Sequence, residues 1–108
     1  MKGMNFMSVV KLSKNNFDLA LNSEKKVLLD FYADWCGPCR MLSPLVDQVA
    51  EENEQYFVGK INVDEEPELA ARFGVAGIPM LVVMQNGKIV NQSVGAKPKP
   101  QILQMLEG

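Results

Sequence analysis

Two side chains in this 108-residue chain combine a reactive type with a telling spacing: Cys36 and Cys39, three positions apart in Trp35-Cys36-Gly37-Pro38-Cys39. Three chemistries fit a close cysteine pair. A structural zinc site needs four ligands, usually Cys and His. With two cysteines and no histidine the chain falls short of that set unless two chains pool ligands. Two inert buried thiols are the plainest alternative. The pair lies between an apolar strand-like run and the start of a helical pattern, with Gly-Pro between the sulfurs, and that placement favours redox chemistry. Two cysteines this close cannot form a disulfide framework that holds a fold together.

The position of Cys36 supplies the physical reason. Free N–H groups at a helix start favour a nearby negative charge, which lowers the thiol pKa and raises the population of the attacking thiolate. Gly37 and Pro38 suit a tight first turn, since proline has no N–H to lose there. The i, i+3 spacing returns Cys39 beside Cys36, near enough to close a small disulfide ring. Cys36, toward the exposed end, is expected to attack a substrate disulfide, and Cys39, one turn further in, to resolve the mixed disulfide. A cation between the two would stabilise the thiolate and make an oxidant; Gly37-Pro38 supplies none, so the pair is biased toward reduction.

Asp30 is the second informative residue. It is embedded in Leu28-Leu29-Asp30-Phe31-Tyr32, where burial would raise its pKa toward neutrality. It could then exchange a proton with Cys39; equally, it could face solvent or accept a structural hydrogen bond. Lys60, in Val58-Gly59-Lys60-Ile61-Asn62, is a possible charge partner from the next strand or a solvated lysine. Trp35 reads as a partly exposed platform beside the cysteines. Gly77-Ile78-Pro79 precedes a strand, where proline is tolerated at the first position; the residues alone leave its isomer open.

These residues need a scaffold. Phe6 to Lys11 reads as a first strand, and Ser13 as the N-cap of a short helix carrying Phe17 and Leu21. The nearly unbroken apolar run from Val27 to Ala33 suits a central strand covered on both faces. Leu42, Leu45, Val46, Val49 and Ala50 then follow helical spacing, with Pro44 expected to kink that helix. A strand over Tyr56–Val63 follows, then a helix over Glu68–Phe73 bracketed by Pro67 and Gly74. Strands over Met80–Met84 and Lys88–Val94 are joined by Asn86-Gly87, a type I′ hairpin signal. A last helix places Ile102, Leu103 and Leu106 on one face. This order implies an α/β architecture, a mixed sheet with helices on both sides.

The composition is 47% hydrophobic, with 11 basic and 13 acidic residues dispersed along the chain. That is enough for one core, and the whole of 1–108 reads as a single domain in which 1–5 is a flexible extension. No basic stripe appears, so no nucleic-acid partner is expected. No apolar run is long enough to span a bilayer, and Met1 to Asn5 lacks the apolar segment of a secretory signal; no membrane association and a cytoplasmic location are expected. The seven methionines read as core filler.

Taken together, the residues resemble the thioredoxin family from about residue 6 to 107. The resemblance is carried by Val27-Leu28-Leu29-Asp30-Phe31, Ala33-Asp34-Trp35-Cys36-Gly37-Pro38-Cys39, Pro44, Lys60-Ile61-Asn62-Val63-Asp64, Gly77-Ile78-Pro79, Asn86-Gly87 and Val94-Gly95. It implies a thioredoxin fold, a central five-stranded mixed sheet flanked by four helices. It implies that Pro79 is cis and faces the disulfide, and that Asp30 is the buried acid serving Cys39. Substrate peptides would lie along Trp35, Ile78, Pro79, Val94, Gly95 and Ala96, partly as an added strand.

The activity implied is protein-disulfide reduction by a monomer that binds no cofactor beyond its own Cys36–Cys39 disulfide. Its partners would be a thioredoxin reductase and disulfide-containing proteins. A reductase or binding subunit dedicated to one partner is the alternative, although a pure scaffold has no need of a dithiol. The chain departs from the family pattern at Tyr32, where the best-known bacterial members carry tryptophan, and at Met80, where threonine is common. Pro98 and Pro100 are expected to shorten the start of the last helix.

Overall fold

The computed structural model describes residues 8–108. Its elements run β1 (Val9–Lys11), α1 (Asp18–Leu21), β2 (Lys26–Tyr32), α2 (Gly37–Glu52), β3 (Tyr56–Asn62), α3 (Pro67–Arg72), β4 (Met80–Gln85), β5 (Lys88–Val94) and α4 (Lys99–Glu107). The expected extension over 1–5, and Phe6 and Met7 of the expected first strand, lie outside the described residues. The five strands form one sheet in the order β1-β3-β2-β4-β5. β3 is parallel to both β1 and β2, and β4 is antiparallel to β2 and β5.

β2 lies at the middle of the sheet, and its side chains alternate between the two faces. Val27, Leu29 and Phe31 join a core with Phe17, Ala20, Ile61, Leu69 and Val82, beneath α1 and α3. Leu28 turns the other way, onto Leu42, Val46, Val49, Leu81, Ile102 and Leu106, beneath α2 and α4. Asp30 shares the parity of Leu28, so the acid occupies a place under α2 where its strand neighbour is apolar. Each fully buried Leu, Ile or Val contributes about 1.5–3 kcal/mol, and the second layer fixes the orientation of α2 relative to β2.

The hairpin forms at Asn86 (φ 54°) and Gly87 (φ 77°), both left-handed as a type I′ turn requires. Gly87→Ala is expected to destabilise the protein by about 1–2 kcal/mol, because a Cβ strains that conformation. Urea unfolding would register the change as a lower midpoint at constant slope; an unchanged midpoint would count against the turn's need for glycine.

Several boundaries differ from expectation. Ser13 does not cap α1: its Oγ accepts from the Asn15 N–H at 3.1 Å, while Asn16 Oδ1 accepts from the Ser13 N–H at 2.7 Å. These local bonds build a turn at the expense of helix, and α1 begins five residues later behind Phe17, which has no side-chain cap bond. α3 ends at Arg72, with Phe73 as its C-cap and Gly74 left-handed at φ 64° just beyond. Pro98 is the N-cap of α4 and Pro100 lies in its first turn, so both prolines sit where a helix needs no N–H. The methionines do not all fill the core: Met80 and Met84 are buried, but Met41 on α2 is 73% exposed.

Candidate active site

Cys36 is the N-cap of α2, with extended backbone (φ −90°, ψ 113°), and its carbonyl accepts the first intrahelical bond from the Arg40 N–H at 3.2 Å. Its Sγ accepts from the Cys39 N–H, also at 3.2 Å. An N-cap usually uses a side-chain oxygen for this purpose; here sulfur takes the role, and a thiolate at the same place would receive the same N–H group and the positive end of the helix dipole. Pro38 falls in the first turn, where no donor is lost. Cys36 and Cys39 are joined as a disulfide, their Cα atoms 5.2 Å apart.

Residue exposure does not separate the two cysteines in the way that a more exposed Cys36 would imply. Cys36 is 4% and Cys39 3% exposed, because Ala33, Tyr32, Val63 and Ile78 pack around the pair. What distinguishes them is position: Cys36 precedes the helix, and Cys39 lies within its first turn.

Pro79 follows a cis Ile78–Pro79 bond, and the Ile78 carbonyl oxygen lies 4.0 Å from Cys36 Sγ, a contact rather than a hydrogen bond because the disulfide sulfur has no proton. The Pro79 carbonyl accepts from the Gly95 N–H at 2.8 Å, which ties the start of β4 to the end of β5. A Cβ on Gly77 would come within 3.1 Å of Val94 Cγ1, so the glycine lets the two segments close together. Ile78, Pro79, Val94 and Gly95 are thus gathered into one wall, with Val94 62% exposed and Ala96 also on the surface. Trp35 is 69% exposed, and its Nε1–H donates to Asp64 Oδ2 at 2.8 Å.

Asp30 is 1% exposed, and neither carboxyl oxygen has a hydrogen-bond partner. Burial pushes its pKa up from 3.8 to about 7; Lys60 pulls the other way and Asp47 adds to the rise. Lys60 stands beside Asp30 in the β2–β3 register. Its Nζ donates to Ser43 Oγ at 2.5 Å and lies 4.9 Å from the centre of the Tyr32 ring. It therefore acts on Asp30 through its field and not through a bond to the carboxylate. Tyr32, Cys39, Arg40, Ser43 and Lys60 line a cleft of about 390 Å³.

Ser43 and Asp47 are absent from the sequence reading, and Asp64 enters it only as the end of Lys60-Ile61-Asn62-Val63-Asp64, with no role attached. Ser43 had one available signal: it follows Cys39 by four residues, on the same helical face. The Trp35–Asp64 bond joins positions 29 residues apart, and no local pattern announces it. Among the described residues no three His, Cys, Asp or Glu side chains gather as a metal-ligand group, and no helix is long and apolar enough to cross a membrane.

The thioredoxin family model matches residues 8–108 of the chain. The chain belongs to the thioredoxin family. It is 48% identical over 83 residues to a thioredoxin of Streptomyces clavuligerus, covering 77% of this chain and 78% of that one. A thioredoxin of Chlorobaculum thiosulfatiphilum is 44% identical over 88 residues, covering 81% and 82% respectively. One from Alicyclobacillus acidocaldarius subsp. acidocaldarius is 42% identical over 96 residues, covering 88% and 91%. With the five-stranded mixed sheet, four helices and a Cys-Gly-Pro-Cys pair at disulfide distance, the chain is a thioredoxin-family protein-disulfide oxidoreductase, and Cys36–Cys39 is its redox group.

Proposed function

We propose that the chain is a general protein-disulfide reductase of the cytoplasm, a single-domain monomer recharged by a thioredoxin reductase. The observation that carries this reading is Cys36 at the N-cap of α2, its sulfur already receiving the Cys39 N–H. In the reduced protein the Cys36 thiolate attacks one sulfur of a substrate disulfide. A Cys36–substrate disulfide forms, and the other substrate sulfur leaves as a thiolate that takes a proton from water. The Cys39 thiol then gives its proton to the Asp30 carboxylate and attacks Cys36 Sγ. The second substrate thiolate leaves and is protonated, and two electrons have passed from the dithiol to the substrate. The wall of Ile78, Pro79, Val94, Gly95 and Ala96, together with exposed Trp35, receives the substrate chain. Lys60 tunes Asp30 by its charge, and the uncharged Gly37-Pro38 biases the pair toward reduction. The cytoplasmic assignment is supported by that reductant bias.

Cys39→Ser tests the order of steps. The variant is expected to accumulate a covalent adduct with reduced-and-reoxidised insulin through Cys36, seen by mass spectrometry, and to lose NADPH-coupled turnover with a thioredoxin reductase. An adduct absent from this variant but present in Cys36→Ser would reverse the assignment.

A further inference from the structure

The carboxyl oxygens of Asp30 are unpartnered, although an ammonium group is carried by the residue beside it in the register, Lys60. That ammonium is committed elsewhere, to Ser43 Oγ at 2.5 Å and the face of Tyr32 at 4.9 Å. We propose that Ser43 is a positioning residue: its hydroxyl anchors the Lys60 ammonium at the cleft wall and denies Asp30 the cation that would fix it as a carboxylate. The catalytic consequence rests on the reading of Asp30 as the acceptor of the Cys39 proton; the placement of Lys60 does not.

The argument is one of competing acceptors. An ammonium has three donors and seeks oxygen. With the Ser43 hydroxyl gone, the ring face of Tyr32 remains, and the bare carboxylate of Asp30 on the neighbouring strand becomes an acceptor open to the ammonium. An opposite charge within about 4–6 Å lowers a carboxyl pKa by about 1–3 units. The other groups facing Asp30 do not substitute for Lys60. From α2 comes Asp47, which opposes ionisation, and Cys39, which is held in the disulfide. β4 sets apolar Leu81 opposite Asp30, and β2 itself carries Tyr32 two residues on. Ser43 is one helical turn beyond Cys39, and both line the same cleft as Lys60. One side chain can thus govern both the lysine and the surroundings of the resolving sulfur.

The test is a carbon-13 NMR titration of the Asp30 carboxyl in the oxidised protein. Ser43→Ala is expected to lower the midpoint by about one pH unit, a tenfold change in the protonation equilibrium. Ser43→Thr, which keeps a hydroxyl, is expected to restore the wild-type midpoint. In a Lys60→Met background, Ser43→Ala should move nothing, since the effect runs through the lysine. An Asp30 titration unmoved by Ser43→Ala overturns the proposal, as does an equal drop in Ser43→Thr or in the Lys60→Met background. Single-turnover resolution of the mixed disulfide, followed across about pH 6–9, separates the two ideas. If Asp30 titrates lower in Ser43→Ala while the kinetic profile stays in place, the positioning role stands and the role of Asp30 in resolution fails.

Discussion

Cys36→Ser is expected to abolish catalysed disulfide reduction, leaving insulin turnover in the NADPH-coupled assay at its uncatalysed background. Three observations argue for a total effect. A serine oxygen is not ionised at neutral pH and cannot form the mixed disulfide, so the first covalent step is lost. Cys39 cannot take over, because it lies inside the first turn of α2 and lacks the N-cap position that polarises Cys36. Serine remains a good N-cap, so the helix and the peptide wall persist and the loss isolates chemistry from folding. A fall on the order of 10³-fold or more is the scale associated with removing a covalent nucleophile. Undiminished insulin reduction in the variant would refute the central role of Cys36.

Asp30→Asn is expected to make the oxidised protein more stable at pH 8 and to flatten its dependence on pH. Burial holds the folded-state pKa of Asp30 at about 7, above the ordinary 3.8, so the folded protein binds this proton more tightly than the unfolded chain. The contribution to stability is then greatest below about pH 4. It declines as pH rises through 7 and is fully lost by about pH 8, a span of about 4 kcal/mol for a shift of this size. Asparagine carries no charge to desolvate, though its amide remains a buried polar group and returns part of that gain. Urea unfolding at about pH 5 and pH 8 measures both effects, and a wild-type stability that rises over this interval while the variant's does not would contradict the sign. The same variant is expected to slow resolution of the mixed disulfide more than the initial attack, as stopped-flow kinetics with a disulfide substrate would reveal.

The two predictions draw on residues of unequal legibility. The activation of Cys36 is local: its partner is three residues away, and the helix that polarises it begins at the next residue. Spacing and composition therefore carried the motif, the central apolar strand β2 and the Asn86-Gly87 turn directly into the structure. Ser13 was misread for the converse reason, since a serine that can cap a helix can equally close a turn on Asn15 and Asn16. Asp30 could be suspected from its apolar neighbours, but its lack of any partner is a property of the layer packed over it. Lys60 could be suspected from strand order, yet its bond to Ser43 depends on how α2 lies across β3.

The redox pair and the strand-helix elements around it were legible along the chain, because they follow from interactions within a few residues and from side-chain periodicity. Which groups meet across the sheet is a matter of packing between elements distant along the chain. That packing set the Ile78 carbonyl against Cys36 from 42 residues away, sealed Asp30 beneath α2 without a partner, and bound Trp35 to Asp64. Those contacts arise from the β1-β3-β2-β4-β5 order and the close packing of helices on each face, where distance along the chain no longer measures distance in space.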